Sequence, residues 1–158
     1  MLFYINDTTQ VLQNRFIDAW DNVTLLKVGG EVVWNQDEKL KIMLRAHYYS
    51  YTLDELVKPW HMPAFDAGLS VKYNLRDKIL LDSDWFFTGK RYAAHANTAE
   101  SPYELRPYLD VNLGLEYRYT KMLSFFLKFN NIAAAKYDVW NFYPAQRFQI
   151  LGGFSYAL

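Results

Sequence analysis

The sequence predicts an all-β fold: antiparallel, up-and-down strands of a transmembrane β-barrel, seven of them long and one short at the N-terminus. Three observations predict it. Apolar and polar residues alternate with a period of two through most of the chain. Short and long connections alternate between the segments. On the apolar parity, aromatics gather near strand ends with Leu, Ile, Val and Ala between them.

The elements follow in order. Residues 1–7, "MLFYIND", are too few to cross a bilayer and read as the outer end of a strand. Residues 23–35 set Leu26, Val28, Val32 and Trp34 against Lys27 and Glu31. Residues 40–50 set Leu40, Ile42, Leu44, Ala46 and Tyr48 against Lys41, Arg45 and His47. Residues 63–75 set Phe65, Ala67, Leu69, Val71 and Tyr73 against Asp66, Ser70, Lys72 and Asn74. Residues 79–89 set Ile79, Leu81, Trp85 and Phe87 against Asp82 and Asp84. Residues 107–119 are the cleanest, with Leu109, Val111, Leu113, Leu115, Tyr117 and Tyr119 against Asp110, Asn112, Glu116 and Arg118. Residues 123–131 set Leu123, Phe125, Leu127 and Phe129 against Ser124, Lys128 and Asn130. Residues 147–158 close the series with Phe148, Ile150, Phe154, Tyr156 and Leu158 on one parity. All thirteen charged residues in the seven long windows fall on the polar parity. Short connections lie at 35–39, 75–78 and 120–122, and long ones at 51–62, 90–106 and 132–146.

Composition narrows the classes. Seventeen basic and seventeen acidic residues cancel, which gives no support for nucleic-acid binding. Cysteine is absent, so there is neither a disulfide framework nor a thiolate metal site. Aromatics reach 18%. No apolar run approaches the roughly 18 residues of a membrane helix. The first residues show no basic region followed by an apolar one, as a secretory leader would.

Alternation alone fits two environments: a soluble barrel with an apolar interior, or a membrane barrel with an apolar exterior. Windows of 9 to 13 residues, aromatics sorted by height and charges confined to one face favour the membrane. A soluble β-barrel that binds an apolar ligand is the alternative from a different class. A self-contained eight-stranded barrel closed by residues 1–7, with a structural or adhesive role, is another.

The segment "FFLKFNNIAAAKYDVWNFYPAQRFQILGGFSYAL", Phe125 to Leu158, resembles the last two strands of TonB-dependent outer-membrane receptors. The shared elements are Asn130 and Asn131 at the close of the penultimate strand and Lys136 and Tyr137 in the loop. Tyr143 and Pro144, Arg147, and the Gly-rich finish from Gly152 to Tyr156 complete them. Such chains usually end on an aromatic, whereas this one ends on Leu158. The resemblance implies a C-terminal portion, residues 1–158 as one segment, of a plugged barrel of about 22 strands. It also implies the outer membrane of a Gram-negative bacterium and uptake of a small-molecule nutrient. The implied partners are outer-membrane lipid, the barrel assembly machinery and a TonB-type energy-coupling protein acting through a plug outside this segment. Phe148, Ile150, Phe154, Tyr156 and Leu158 would form the lipid-facing C-terminal assembly signal.

The polar parity supplies candidate lumen-facing residues: Lys41, Arg45, His47, Asp66, Lys72, Asp82, Asp84, Asp110, Glu116, Arg118 and Lys128. The long loops supply candidate ligand-binding residues: Trp60, His61, Tyr92, His95, Tyr137, Trp140 and Tyr143. Exposed aromatics beside polar groups suit stacking on sugars or planar chelates. Three histidines in separate segments have no ligand spacing, and Asp82 with Asp84 falls short of a calcium cage. Neither a nucleophile elbow nor a phosphate loop occurs, so no metal, no cofactor and no enzymatic activity is expected.

Overall fold

All seven long strands form, and they join in chain order into one antiparallel sheet. The computed structural model describes residues 1–7, 9, 15–94 and 102–157. Strands β1 (Leu2–Asn6) and β2 (Phe16–Trp20) make a separate ladder. The sheet itself begins with β3 (Val23–Gln36), β4 (Leu40–Leu53), β5 (Phe65–Leu75) and β6 (Ile79–Thr88). A short hairpin of β7 (Arg91–Ala93) and β8 (Tyr103–Leu105) follows, then β9 (Tyr108–Arg118) and β10 (Leu123–Asn130). A second hairpin, β11 (Asp138–Trp140) with β12 (Tyr143–Pro144), precedes β13 (Gln149–Tyr156). The order across the sheet is β3-β4-β5-β6-β9-β10-β13.

Strand bounds follow the partner rather than the sequence pattern. Tyr51, Thr52 and Leu53 extend β4 beyond residue 50 because Leu25, Thr24 and Val23 of β3 lie opposite. The last strand starts at Gln149 rather than 147 because Gln149 faces Asn130, where β10 ends. Leu158 lies outside the described residues.

Residues 1–7 do not close the sheet. Leu2 to Asn6 pair with Trp20 to Phe16, and the ladder continues where Asp21 N donates to Met1 O at 3.1 Å. This segment therefore runs beside the chain leading into β3, and not beside β13. Among the described residues, β3 and β13 are open edges, so the eight-stranded closure is overturned. Leu2–Asn6 pair with β2 and with no strand of the seven-stranded sheet.

The pleat sorts the two faces. One row across the sheet reads Lys41, Lys72, Asp82, Gly114 and Lys128, each opposite the next. The other face carries exposed apolar groups, among them Val32 at 67% and Phe154 at 69%. Ser83 is a polar residue on that face, and its hydroxyl accepts the Trp85 indole N–H at 2.8 Å. The β5–β6 turn has both central residues, Arg76 (φ 53°) and Asp77 (φ 57°), in the left-handed region, as a type I′ hairpin requires. Asn74 supports it: its Oδ1 accepts from Asp77 N at 2.9 Å.

Glycines on the polar face allow neighbouring side chains to lie flat, Gly114 and Gly29 among them. At Gly114 an added Cβ would fall 2.2 Å from Asp82 Oδ1. At Gly29 it would fall 2.4 Å from His47 Cδ2 and 2.6 Å from the Ala46 carbonyl oxygen, a backbone atom held in the ladder. Gly29→Ala is therefore expected to destabilise the sheet by about 1–3 kcal/mol. Gly30, whose Cβ would meet nothing within 4 Å, is the control. Thermal unfolding in detergent should show a lower midpoint for Gly29→Ala than for Gly30→Ala, and equal midpoints would refute the close-approach argument.

Candidate functional site

A single-layer sheet has no interior, so burial concentrates where the long connections fold together. Phe3, Trp60, Ala93 and Leu105 are buried at that end, and Val111 is buried on β9. The buried polar residues Asn6, Asp21, His61, Arg91, Asn131 and Asn141 also belong to it. Polar residues recur because loop backbone lacks a ladder, and its buried N–H and C=O groups need side-chain partners.

His61 joins four segments. Its backbone N donates to Tyr92 O at 2.8 Å. Its ring Nδ1 donates to Tyr4 O at 3.1 Å, and Nε2 accepts from Asn141 N at 3.4 Å. Asn141 Nδ2 also donates to Asn6 Oδ1 at 3.4 Å. The ring contacts Trp140 at 4.9 Å and Phe16 at 5.6 Å between centroids, and Phe16 meets Tyr143 at 5.4 Å. Burial, chiefly, keeps the imidazole pKa below its ordinary 6.5, and nearby Arg91 acts in the same direction against the Tyr4 carbonyl. The neutral Nδ1–H tautomer satisfies both ring contacts. Asp21 secures the adjoining loop: its carboxylate accepts from Leu56 N at 2.9 Å and from Glu55 N at 3.2 Å. These donors, Leu56 N–H foremost, hold its pKa below the usual carboxylate value.

Asn131 anchors the last long loop. It adopts φ 47°, where Asn is better tolerated than most residues. Its side chain donates to Ala135 O at 3.0 Å and Gln146 O at 3.3 Å, and accepts from Ala135 N at 2.9 Å. Its own N–H donates to Asn112 Oδ1 at 2.9 Å. Tyr137 stacks on Tyr108 with centroids 3.8 Å apart, and its hydroxyl donates to Asp110 Oδ2. Burial and that carboxylate raise the Tyr137 pKa, so the phenol keeps its proton. Two residues singled out by the sequence motif, Asn131 and Tyr137, thus hold the loop in place.

The candidate loop residues separate into groups. His61, Trp140 and Tyr143 meet around Phe16. Tyr92 carries Lys58 Nζ 4.8 Å over its ring. Tyr143 is exposed. Trp60 (8%) and His61 (6%) are buried rather than exposed, because the loop carrying them folds under β1 and β11. His95 lies outside the described residues. The eleven polar-parity candidates share one face by register: Lys41, Arg45 and His47 on β4; Asp66 and Lys72 on β5; Asp82 and Asp84 on β6; Asp110, Glu116 and Arg118 on β9; Lys128 on β10. Six of them (Lys41, Lys72, Asp82, Asp84, Glu116 and Lys128) border a hollow of about 590 Å³. Nearer the loops, His47 Nδ1 lies 3.2 Å from Asp66 Oδ1, and Arg45 lies flat over Gly68. Phe148, Ile150, Phe154 and Tyr156 are exposed on the opposite face. Sequence reasoning missed Phe16, Tyr108 and Arg91, whose roles arise from contacts between distant loops.

The His61 junction carries a pH dependence with a definite sign. Its folded pKa lies below the ordinary 6.5, so an opened loop binds a proton more readily than the closed one. The junction is fully stable above about pH 6.5 and loosens as pH falls through that value toward the folded pKa. Hydrogen exchange, corrected for intrinsic rates, should show weaker protection around residues 59–62 and 138–143 at pH 5.5 than at pH 8. The difference should vanish in His61→Asn. Equal protection at both values in the native protein would contradict this.

No protein-family model matches the chain, and no curated protein matches it significantly. Solved structures do match. The pyoverdine outer membrane receptor FpvA from Pseudomonas aeruginosa PAO1, bound to pyoverdine, aligns with TM-score 0.76 at 13% identity, over 94% of this chain and 23% of its own. The ferric-catecholate import receptor Fiu from K12 E. coli aligns with TM-score 0.72 at 14% identity, over 91% of this chain and 22% of its own. The FpvAI–pyocin S2 complex gives 0.74 at 16% identity, over 89% and 20%. The chain spans less than a quarter of the length of these receptors. With seven long strands in meander order and a loop cap at one end, the chain has the fold of a segment of a TonB-dependent receptor barrel.

Proposed function

We propose that this chain is the C-terminal portion of a nutrient-uptake barrel in the outer membrane of a Gram-negative bacterium. One observation carries the proposal. The register gathers the strand charges on one face and leaves an aliphatic band between aromatic rows on the other. Tyr48 pairs with Phe65 near the loop end, while Tyr117 lies beside Ile79 and Phe125 near the turns. Water does not favour such a face, and a bilayer does.

In this reading the apolar face meets lipid and the charged face lines the lumen. The open edges of β3 and β13 pair with further strands of a larger barrel, since each unpaired backbone group in hydrocarbon costs several kcal/mol. Residues 1–158 form one segment of that barrel. Phe148, Ile150, Phe154, Tyr156 and Leu158 present the assembly signal to the barrel assembly machinery. The long loops face outward and capture a small molecule, and a TonB-type protein drives its entry through a plug. The reading is of transport, not catalysis, and the named receptors with this fold support it.

Fractionation of the protein from a Gram-negative host tests the reading. It should partition with the outer membrane, need detergent for extraction, and migrate faster on gels unheated than boiled. A protein that is monomeric and soluble without detergent would sink the membrane assignment and favour a soluble apolar-ligand barrel.

A further inference from the structure

At the loop end, the β7–β8 and β11–β12 hairpins and the residues entering β9 and β13 wall a cavity of about 600 Å³. Four cationic residues line it: Arg91, Arg106, Lys136 and Arg147. Two carboxylate residues, Glu104 and Asp138, line it as well. Glu104 is already engaged, its Oε1 3.1 Å from Lys90 Nζ. Among the described residues, no carboxylate lies within ion-pair distance of any of the four cations.

Arg91 is the least usual of them. It is 4% exposed, yet its terminal nitrogens meet only backbone carbonyls, Val139 O at 2.6 Å and Asp138 O at 2.7 Å. Its guanidinium lies 5.1 Å over the Tyr108 ring. Its Nε is buried with no hydrogen-bond partner among the described residues. A buried charge is costly unless an opposite charge faces it, and the Asp138 carboxylate acts on Arg91 only from beyond ion-pair distance. Arg106, Lys136 and Arg147 are exposed, so their side chains are free to turn toward an incoming group. Arg147 makes one bond, from Nε to Ala134 O at 3.3 Å, which leaves its terminal nitrogens for another acceptor. Guanidinium groups suit carboxylate and phosphate oxygens because their N–H groups form a planar fork.

We propose that this cavity binds an anionic oxygen group, a carboxylate or phosphate, through Arg106, Lys136 and Arg147 in front of the buried Arg91 charge. The inference deepens the uptake reading and rests on it for its biological role, since it gives the chemical class the loops would capture. Tyr103 and Tyr137 in the same wall add apolar surface for the body of the ligand.

Calorimetry on the detergent-solubilised protein tests it, with citrate and inorganic phosphate as probes and glucose as the neutral control. Saturable binding of citrate or phosphate, tighter at low salt, is expected. The double variant Arg106→Gln with Arg147→Gln should weaken it by about tenfold or more. Lys121→Gln, in a short turn at the opposite end, should leave it unchanged. Unheated gel migration of the double variant confirms that it still folds. Nanodiscs separate two sources of the same chemistry. Citrate binding lost in phosphatidylglycerol discs but kept in phosphatidylcholine discs assigns the site to a lipid headgroup, and binding kept in both assigns it to a soluble anion. Absence of saturable binding by either probe, or equal binding by the double variant, overturns the site. That failure would leave outer-membrane fractionation untouched, so it is distinguishable from failure of the uptake reading.

Discussion

Every strand in this molecule depends on the strand beside it, because a single-layer sheet offers its backbone groups no other partner. The ladders run without interruption from β3 to β13, and β3 ends with β4 as β10 ends with β13. The same constraint sets the two faces. Opposed residues share a face, so one register slip would carry every charge onto the apolar side. Close backbone approach at Gly29 and the flat Asp82 carboxylate over Gly114 hold neighbouring strands in that register.

The connections solve the problem differently. They lack a continuous ladder, and their backbone groups are satisfied by a few buried polar side chains. His61 ties β1, β7 and β11–β12 to its own loop, Asn131 closes the base of the last loop, and Asp21 holds residues 55 and 56. Aromatics fill the space around these polar contacts, as Phe16 and Trp140 do around His61. Among the described residues the result is a cap of short hairpins, and the four-cation cavity lies between two of them.

This division explains the two kinds of aromatic residue. Those on the apolar parity of the strands follow the pleat and are exposed on one face, as Trp34 and Tyr156 are. Those in the loops take whatever partner the packing supplies. Tyr137 stacks on Tyr108 and bonds Asp110, whereas Tyr143 packs against Phe16. Aromatic content alone therefore does not mark a capture surface.

By itself the sequence determined the seven strands, their order as a meander, the face each side chain takes and the placement of turns such as Arg76–Asp77. These follow from a period of two and from local turn chemistry, which act over a few residues and leave a visible pattern. Tertiary structure alone decided that residues 1–7 pair with 16–20, that Trp60 and His61 are buried, and that Arg91, Arg106, Lys136 and Arg147 share a cavity. Those facts rest on contacts between segments far apart in the chain. His61 and Asn141 are 80 residues apart, and no periodicity records such a meeting.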